Sequence, residues 1–165
     1  MDTVLVAYAT KRGSTREVAA DVARVIRQSG VEVEISPARE VKDLDRYQAV
    51  VLGGALYMGR WHKDARKLLK RFRSRLTSMP LAVFAMGPKS SEPEALAEAG
   101  TGLTRAFDEL PEVHPFTSAI FGGVIDPSKL HFPFKKMPAG DARDWEAIEN
   151  WANELVRTLS ARSTS

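Results

Sequence analysis

Residues 3–15 read Thr-Val-Leu-Val-Ala-Tyr-Ala-Thr-Lys-Arg-Gly-Ser-Thr. The run Thr3–Ala9 is almost wholly apolar, the pattern of a strand buried on both faces of a parallel sheet. Immediately after it Val18, Val22, Val25 and Ile26 recur at helical spacing, with Gly30 as the stop. The segment between, Thr10-Lys11-Arg12-Gly13-Ser14-Thr15, therefore joins a buried strand to a helix N-terminus. Gly13 permits a tight backbone, and successive N–H groups at a helix start form a concave anion site. The hydroxyls of Thr10, Ser14 and Thr15 add donors, while Lys11 and Arg12 raise the local positive potential. Ser14 and Glu17 also fit a capping box, and Gly13 a plain turn. Phosphate binding accounts for Thr10 and Thr15 as well, and is the expectation. The loop has neither the Gly-Lys-[Ser/Thr] ending of a Walker loop nor the Gly-x-Gly-x-x-Gly dinucleotide pattern.

Working outward, strand and helix patterns alternate along the whole chain. Further strands are predicted at Val31–Ser36, Gln48–Gly54, Leu81–Met86 and Phe116–Phe121. A basic helix is predicted from about His62 to Thr77, facing Ala65, Leu68, Leu69, Phe72 and Leu76 inward. Ser91 opens another helix with a Ser-x-x-Glu capping box to Glu94. The last helix begins near Asp141 and buries Trp145, Ile148, Ala152, Leu155 and Leu159. This alternation predicts one α/β domain over residues 1–160, with residues 161–165 as a frayed polar tail. Its doubly wound, five-stranded parallel sheet carries helices on both faces. Such sheets bind ligands beyond the carboxyl ends of their strands, where the strand order reverses.

That rule directs attention to two more loops. After the third strand, Ala55-Leu56-Tyr57-Met58-Gly59-Arg60-Trp61 carries two aromatics, which could wall a planar cofactor or pack on a helix. After the fourth, Met86-Gly87-Pro88 could close over the other side, Gly87 allowing close backbone approach; a turn and helix cap explain this loop equally well.

Thr10-x-x-Gly13-Ser14-Thr15 after a Val/Leu strand resembles the phosphate loop of the flavodoxin family, which grips FMN. The resemblance spans nearly the whole chain and implies a flavodoxin-like sheet of order 2-1-3-4-5. The Tyr57–Trp61 loop and the C-terminal run Arg143-Asp144-Trp145-Glu146-Ala147-Ile148-Glu149-Asn150-Trp151-Ala152 are similar to the branch containing the menaquinone-dependent protoporphyrinogen dehydrogenases. The resemblance implies FMN held by residues 10–15, with Ala55, Leu56, Tyr57, Met58, Gly59 and Trp61 on one side of its ring and Met86, Gly87 and Pro88 on the other. It further implies an oxidoreductase acting on a quinone, a porphyrinogen or reduced nicotinamide. A deazaflavin is the alternative cofactor, since its acidic tail would suit Lys11, Arg12 and Arg60. A flavodoxin-type electron carrier and a non-catalytic binding module are the alternative functions.

Two features depart from that branch. The stretch Gly123–Gly140 keeps Phe132, Phe134, Lys135, Lys136 and Met137 but is too short for an interfacial helix. The chain is also basic, with 24 Lys and Arg against 21 Asp and Glu, whereas electron-shuttling flavodoxins are acidic. Much of the basic charge lies between Gly59 and Arg75, as a solvated helix face or a docking surface for an anionic substrate, acidic partner or membrane.

Composition narrows the chemistry. With no cysteine, the 165 residues hold no disulfide, thiolate nucleophile or iron–sulfur site. His62, His114 and His131 lack metal-site spacing, and no Gly-x-Ser-x-Gly elbow occurs. No nucleic-acid-reading motif accompanies the basic charge. No leader pattern precedes the first strand and no run reaches the roughly 20 apolar residues of a membrane span. A cytoplasmic protein, with peripheral membrane contact through the basic helix as one option, is the expectation.

Overall fold

The first strand, β1 (Thr3–Ala9), has Val4, Leu5, Val6 and Ala7 fully buried, as its unbroken apolar sequence requires. In the computed structural model, which describes residues 3–10, 13–87, 93–122, 124–125, 140–141 and 144–163, this strand lies inside a parallel sheet. Around it run α1 (Ser14–Gln28), β2 (Glu32–Pro37), a 3-10 turn (Ala38–Glu40) and β3 (Tyr47–Tyr57). There follow β4 (Arg60–Trp61), α2 (Lys63–Arg71), α3 (Arg73–Leu76), β5 (Leu81–Met86), α4 (Pro93–Arg105) and β6 (Thr117–Phe121). The chain continues through β7 (Val124–Ile125), β8 (Gly140–Asp141) and α5 (Trp145–Ser163).

The parallel order is β2-β1-β3-β5-β6. It is the expected 2-1-3-4-5 order, because the two-residue β4 pairs antiparallel with β3 and merely shifts the later numbers. Along β1, residues two apart share a face. Leu5 and Ala7 join the core beneath α2, where Leu52, Val83, Leu68, Leu69 and Trp61 meet. Val4 and Val6 join the opposite core, packed on Val18, Val22 and Ile26 of α1 and Ile148, Trp151 and Leu155 of α5. Both faces are thus covered, and the sheet's ends are left as the place for a site.

Several boundaries differ from the sequence reading. The basic helix is broken at Phe72 (φ −108°, ψ 23°) into α2 and α3. β3 runs three residues past Gly54 because β4 folds back to pair with it. α5 starts at Trp145, whose side chain in the first turn is 37% exposed. Trp151 is buried instead, its indole N–H donating to Thr117 Oγ1 at 3.1 Å and its ring edge-on to Phe84 and Phe121. The helix is assigned through Ser163, with the Arg162 guanidinium 5.1 Å from the Phe116 ring centre. The Ser91 cap and residues Phe132, Phe134, Lys135, Lys136 and Met137 lie outside the described residues.

Candidate functional site at the carboxyl edge of the sheet

Strand register brings the three loops together. Ala9 pairs with Gly54, and Ala55 with Met86, so β1, β3 and β5 end abreast at one edge. The loop after β1 turns through Gly13, whose φ of 89° is left-handed and favours glycine. The Gly13 amide donates to Thr10 Oγ1 at 3.0 Å, tying the loop across its base. Gly13 is the N-cap of α1, and having no side chain it makes no side-chain cap bond itself. Ser14 is the first helical residue, so the Ser14–Glu17 capping box does not form. The first amides of α1 have no carbonyl partner within the helix, as at any helix start.

Thr15 gives the most specific observation. It is fully buried, and its Oγ1 has no hydrogen-bond partner among the described residues. An unmatched buried hydroxyl costs about 1–3 kcal/mol. Thr15 stands in the first turn of α1, where the helix dipole favours negative charge. Thr10 and Ser14 are half-buried beside it. Lys11 and Arg12 lie outside the described residues.

The loop after β3 is a hairpin. Leu56 pairs with Trp61 and Tyr57 with Arg60, leaving Met58 and Gly59 as a two-residue turn. Their φ values of 53° and 78° are both positive, as a type I′ turn demands. Gly59 takes this conformation readily; Met58 is the only non-glycine residue with positive φ among those described. The tip presents Tyr57 and Met58 to solvent, 41% and 74% exposed, with Ala55 and Leu56 half-buried below.

Trp61 is packed inward, whereas Tyr57 stays at the exposed tip. Its indole is 1% exposed, donates from Nε1 to the Gly54 carbonyl at 3.0 Å, and packs at 6.3 Å on Phe107. It faces the core because the period-2 alternation of the hairpin turns Tyr57 and Trp61 to different environments. Trp61 acts as the hairpin's anchor. Gly54 makes room for it, since a Cβ there would lie 2.5 Å from Trp61 Nε1. His62 completes the corner: its amide donates to Ala55 O at 2.9 Å, and its Nδ1 accepts from the Asp64 amide, capping α2.

The loop after β5 contributes less than expected. Met86 is 2% exposed and belongs to the core under α1 and α5, so its side chain faces away from the edge. Gly87 has the left-handed φ of 100°, but its amide already donates to Phe121 O at 2.9 Å. That amide is therefore not available to a ligand's ring edge. Pro88 lies outside the described residues.

One contributor was missed in the sequence. Gly102 of α4 lies against the hairpin turn, where a Cβ would sit 2.7 Å from Gly59 O and 3.1 Å from Leu56 Cδ2. Its signal was a glycine inside a helical pattern, which points to a close backbone approach.

A flavodoxin domain family model matches residues 5–137, spanning the loop at residues 10–15, the hairpin and all of the parallel sheet but the first two residues of β1. The chain belongs to the flavodoxin family. Among curated proteins it is 24% identical over 169 aligned positions to protoporphyrinogen IX dehydrogenase [quinone] of Escherichia coli (strain K12), covering 92% of this chain and 93% of that one. Among solved structures it matches a mutant flavodoxin from Pseudomonas aeruginosa with TM-score 0.64 and 18% identity, over 96% of this chain and 99% of that one. It also matches rubredoxin oxygen:oxidoreductase from Desulfovibrio gigas, with TM-score 0.67 and 14% identity, over 100% of this chain but 38% of that one. At these identities the solved structures speak to the fold alone. The deazaflavin alternative finds no support among them. No described helix is long and apolar enough to cross a membrane, and no described residues cluster to hold a metal ion.

Proposed function

We propose that this flavodoxin-family protein binds FMN at the carboxyl edge of its sheet and serves as a flavin-dependent oxidoreductase. The carrying observation is the buried Thr15 hydroxyl, without a partner among the described residues, in the first turn of a helix whose N-cap is a glycine. A phosphate there would match that hydroxyl and the helix amides together. Thr10 and Ser14 are the neighbouring hydroxyls, and Lys11 and Arg12 supply charge from the same loop. When bound, the flavin supplies reversible transfer of electrons or hydride, chemistry that no side chain provides by itself.

The chain's own residues bind and orient. Tyr57 offers an exposed aromatic face at the edge, held by the type I′ turn, the Trp61 anchor and the Gly102 contact. Ala55, Leu56 and Met58 give that end of the site an apolar lining. We assign no side chain as acid or base. Similarity to a quinone-linked protoporphyrinogen dehydrogenase favours a quinone as electron acceptor and a porphyrinogen as donor. Reduced nicotinamide is the other donor to try. A role as electron carrier fits the same site and separates from enzyme action by whether a small-molecule donor is turned over.

Titration of the apo-protein with FMN, followed by flavin fluorescence, tests the reading. Saturable binding weakened by Tyr57→Ala supports it. Absence of FMN binding overturns it. Protoporphyrinogen IX with a menaquinone analogue then tests turnover: formation of fluorescent porphyrin assigns the substrate, and none leaves the carrier role.

A further inference from the structure

Outside the cofactor edge, the strongest concentration of charge lies on α2 and α3. These helices carry seven lysines and arginines against the single carboxylate of Asp64. Some of these cations are already engaged. Arg66 donates from Nε to Trp61 O at 2.9 Å, and Arg71 donates to the carbonyls of Val41 and Lys42 at 3.2 and 3.4 Å. Lys70 lies 3.5 Å from Glu109, and Arg73 pairs with Glu112. Lys63, Lys67 and Arg75 have no ion pair among the described residues.

Beside this face runs a groove of about 600 Å³ between the 3-10 turn and α2. Val41, Leu68 and the half-buried Phe72 form its apolar part, and Arg39, Lys67 and Lys70 stand around it. Asp64 is the single carboxylate lining it. The bridges of Arg39 to Glu40 and Lys70 to Glu109 are open to solvent, so incoming carboxylates can replace those partners. One end of the groove lies near the carboxyl edge of the sheet: Pro37 pairs with Tyr8, which puts Ala38 level with Ala9, the last residue of β1.

We propose that this groove is a docking site for an acidic segment of a partner protein that lays an apolar side chain against the half-buried Phe72. The occupant follows from the lining. Cations around a recessed apolar floor fit a chain that alternates carboxylates with a protruding anchor. A membrane fits less well, because the apolar part is sunk, with Val41 and Leu68 only 6% and 3% exposed. The large apolar side chains exposed among the described residues, Tyr57, Met58 and Trp145, lie on other elements. The groove shares no residue with the proposed FMN contacts, so this inference stands apart from the flavin reading.

The test is panning of a random dodecapeptide display library against the full-length protein, followed by anisotropy titration with the synthetic peptide selected. The expected peptide is acidic, with an apolar residue among its carboxylates, and weakens as salt rises. Arg39→Glu combined with Lys67→Glu should reduce its affinity by at least about tenfold. Both residues are exposed, so the circular dichroism spectrum and FMN affinity should be unchanged. Arg75→Glu, on α3 away from the groove lining, should leave peptide affinity intact. Selected peptides without acidic bias, equal affinity for the double variant, or an equal loss from Arg75→Glu would overturn the proposal. So would sedimentation with phosphatidylserine vesicles, lost in the double variant, when no peptide is selected. Loss of FMN binding with peptide binding retained would overturn only the flavin reading.

Discussion

Replacing Thr15 by valine should move stability and cofactor affinity in opposite directions. Valine keeps the size and β-branching of threonine and removes only the hydroxyl. That hydroxyl is fully buried and has no partner among the described residues, an arrangement that costs about 1–3 kcal/mol. Thr15→Val should therefore stabilise the apo-protein by about 1 kcal/mol, a rise in Tm of about 2–4 °C for a chain of this size. With FMN the sign reverses. A hydrogen bond to a charged group contributes about 1.5–3 kcal/mol, so the variant should bind FMN about 10- to 150-fold more weakly. Thermal melts of the apo-protein by circular dichroism measure the first quantity, and flavin fluorescence titration the second. A variant that melts lower than wild type yet binds FMN equally would refute the reasoning, since Thr15 would then be serving the fold rather than the phosphate.

Other perturbations test the hairpin and the surface. Gly54→Ala places a Cβ 2.5 Å from the buried Trp61 indole and should cost about 1–3 kcal/mol in urea unfolding; an unchanged midpoint would show that the anchor is not tightly seated. Met58→Gly relieves a left-handed residue at an exposed tip and should stabilise the fold by about 1 kcal/mol in the same assay, whereas destabilisation would mean Met58 packs on something. The Glu112 carboxyl is held below its ordinary range, first by its backbone hydrogen bond and then by Arg73. Its stabilisation is therefore complete above the unfolded carboxylate value and is lost as pH falls through the lower folded value. Urea midpoints taken from about pH 7 down to about pH 3 should fall further for wild type than for Glu112→Gln, and parallel curves would contradict the sign.

Much of this protein is determined by local sequence. An unbroken apolar run can be only a doubly buried strand or a core helix, and the short span Thr3–Ala9 selects the strand. The spacing of Val18, Val22 and Ile26 identifies the buried stripe of α1 because helical periodicity is set by backbone geometry. The tight turn at Gly13 was legible for the same reason: a positive φ is a property of a few adjacent residues.

What the sequence left open were choices between residues of equal local standing. Tyr57 and Trp61 are both aromatics in one loop, and only the pairing of β3 with β4 turns Trp61 into the core and leaves Tyr57 at the edge. Trp145 and Trp151 both lie on α5, yet Thr117, Phe84 and Phe121 on distant strands make Trp151 the buried one. Gly87 has the backbone freedom read from the sequence, but strand β6 claims its amide. The orphaned hydroxyl of Thr15 is likewise invisible in one dimension, because burial on all sides is supplied by elements far along the chain. Periodicity fixes which side chains share a face. Which of them is covered, and which is left for a ligand, depends on the partner that tertiary packing brings.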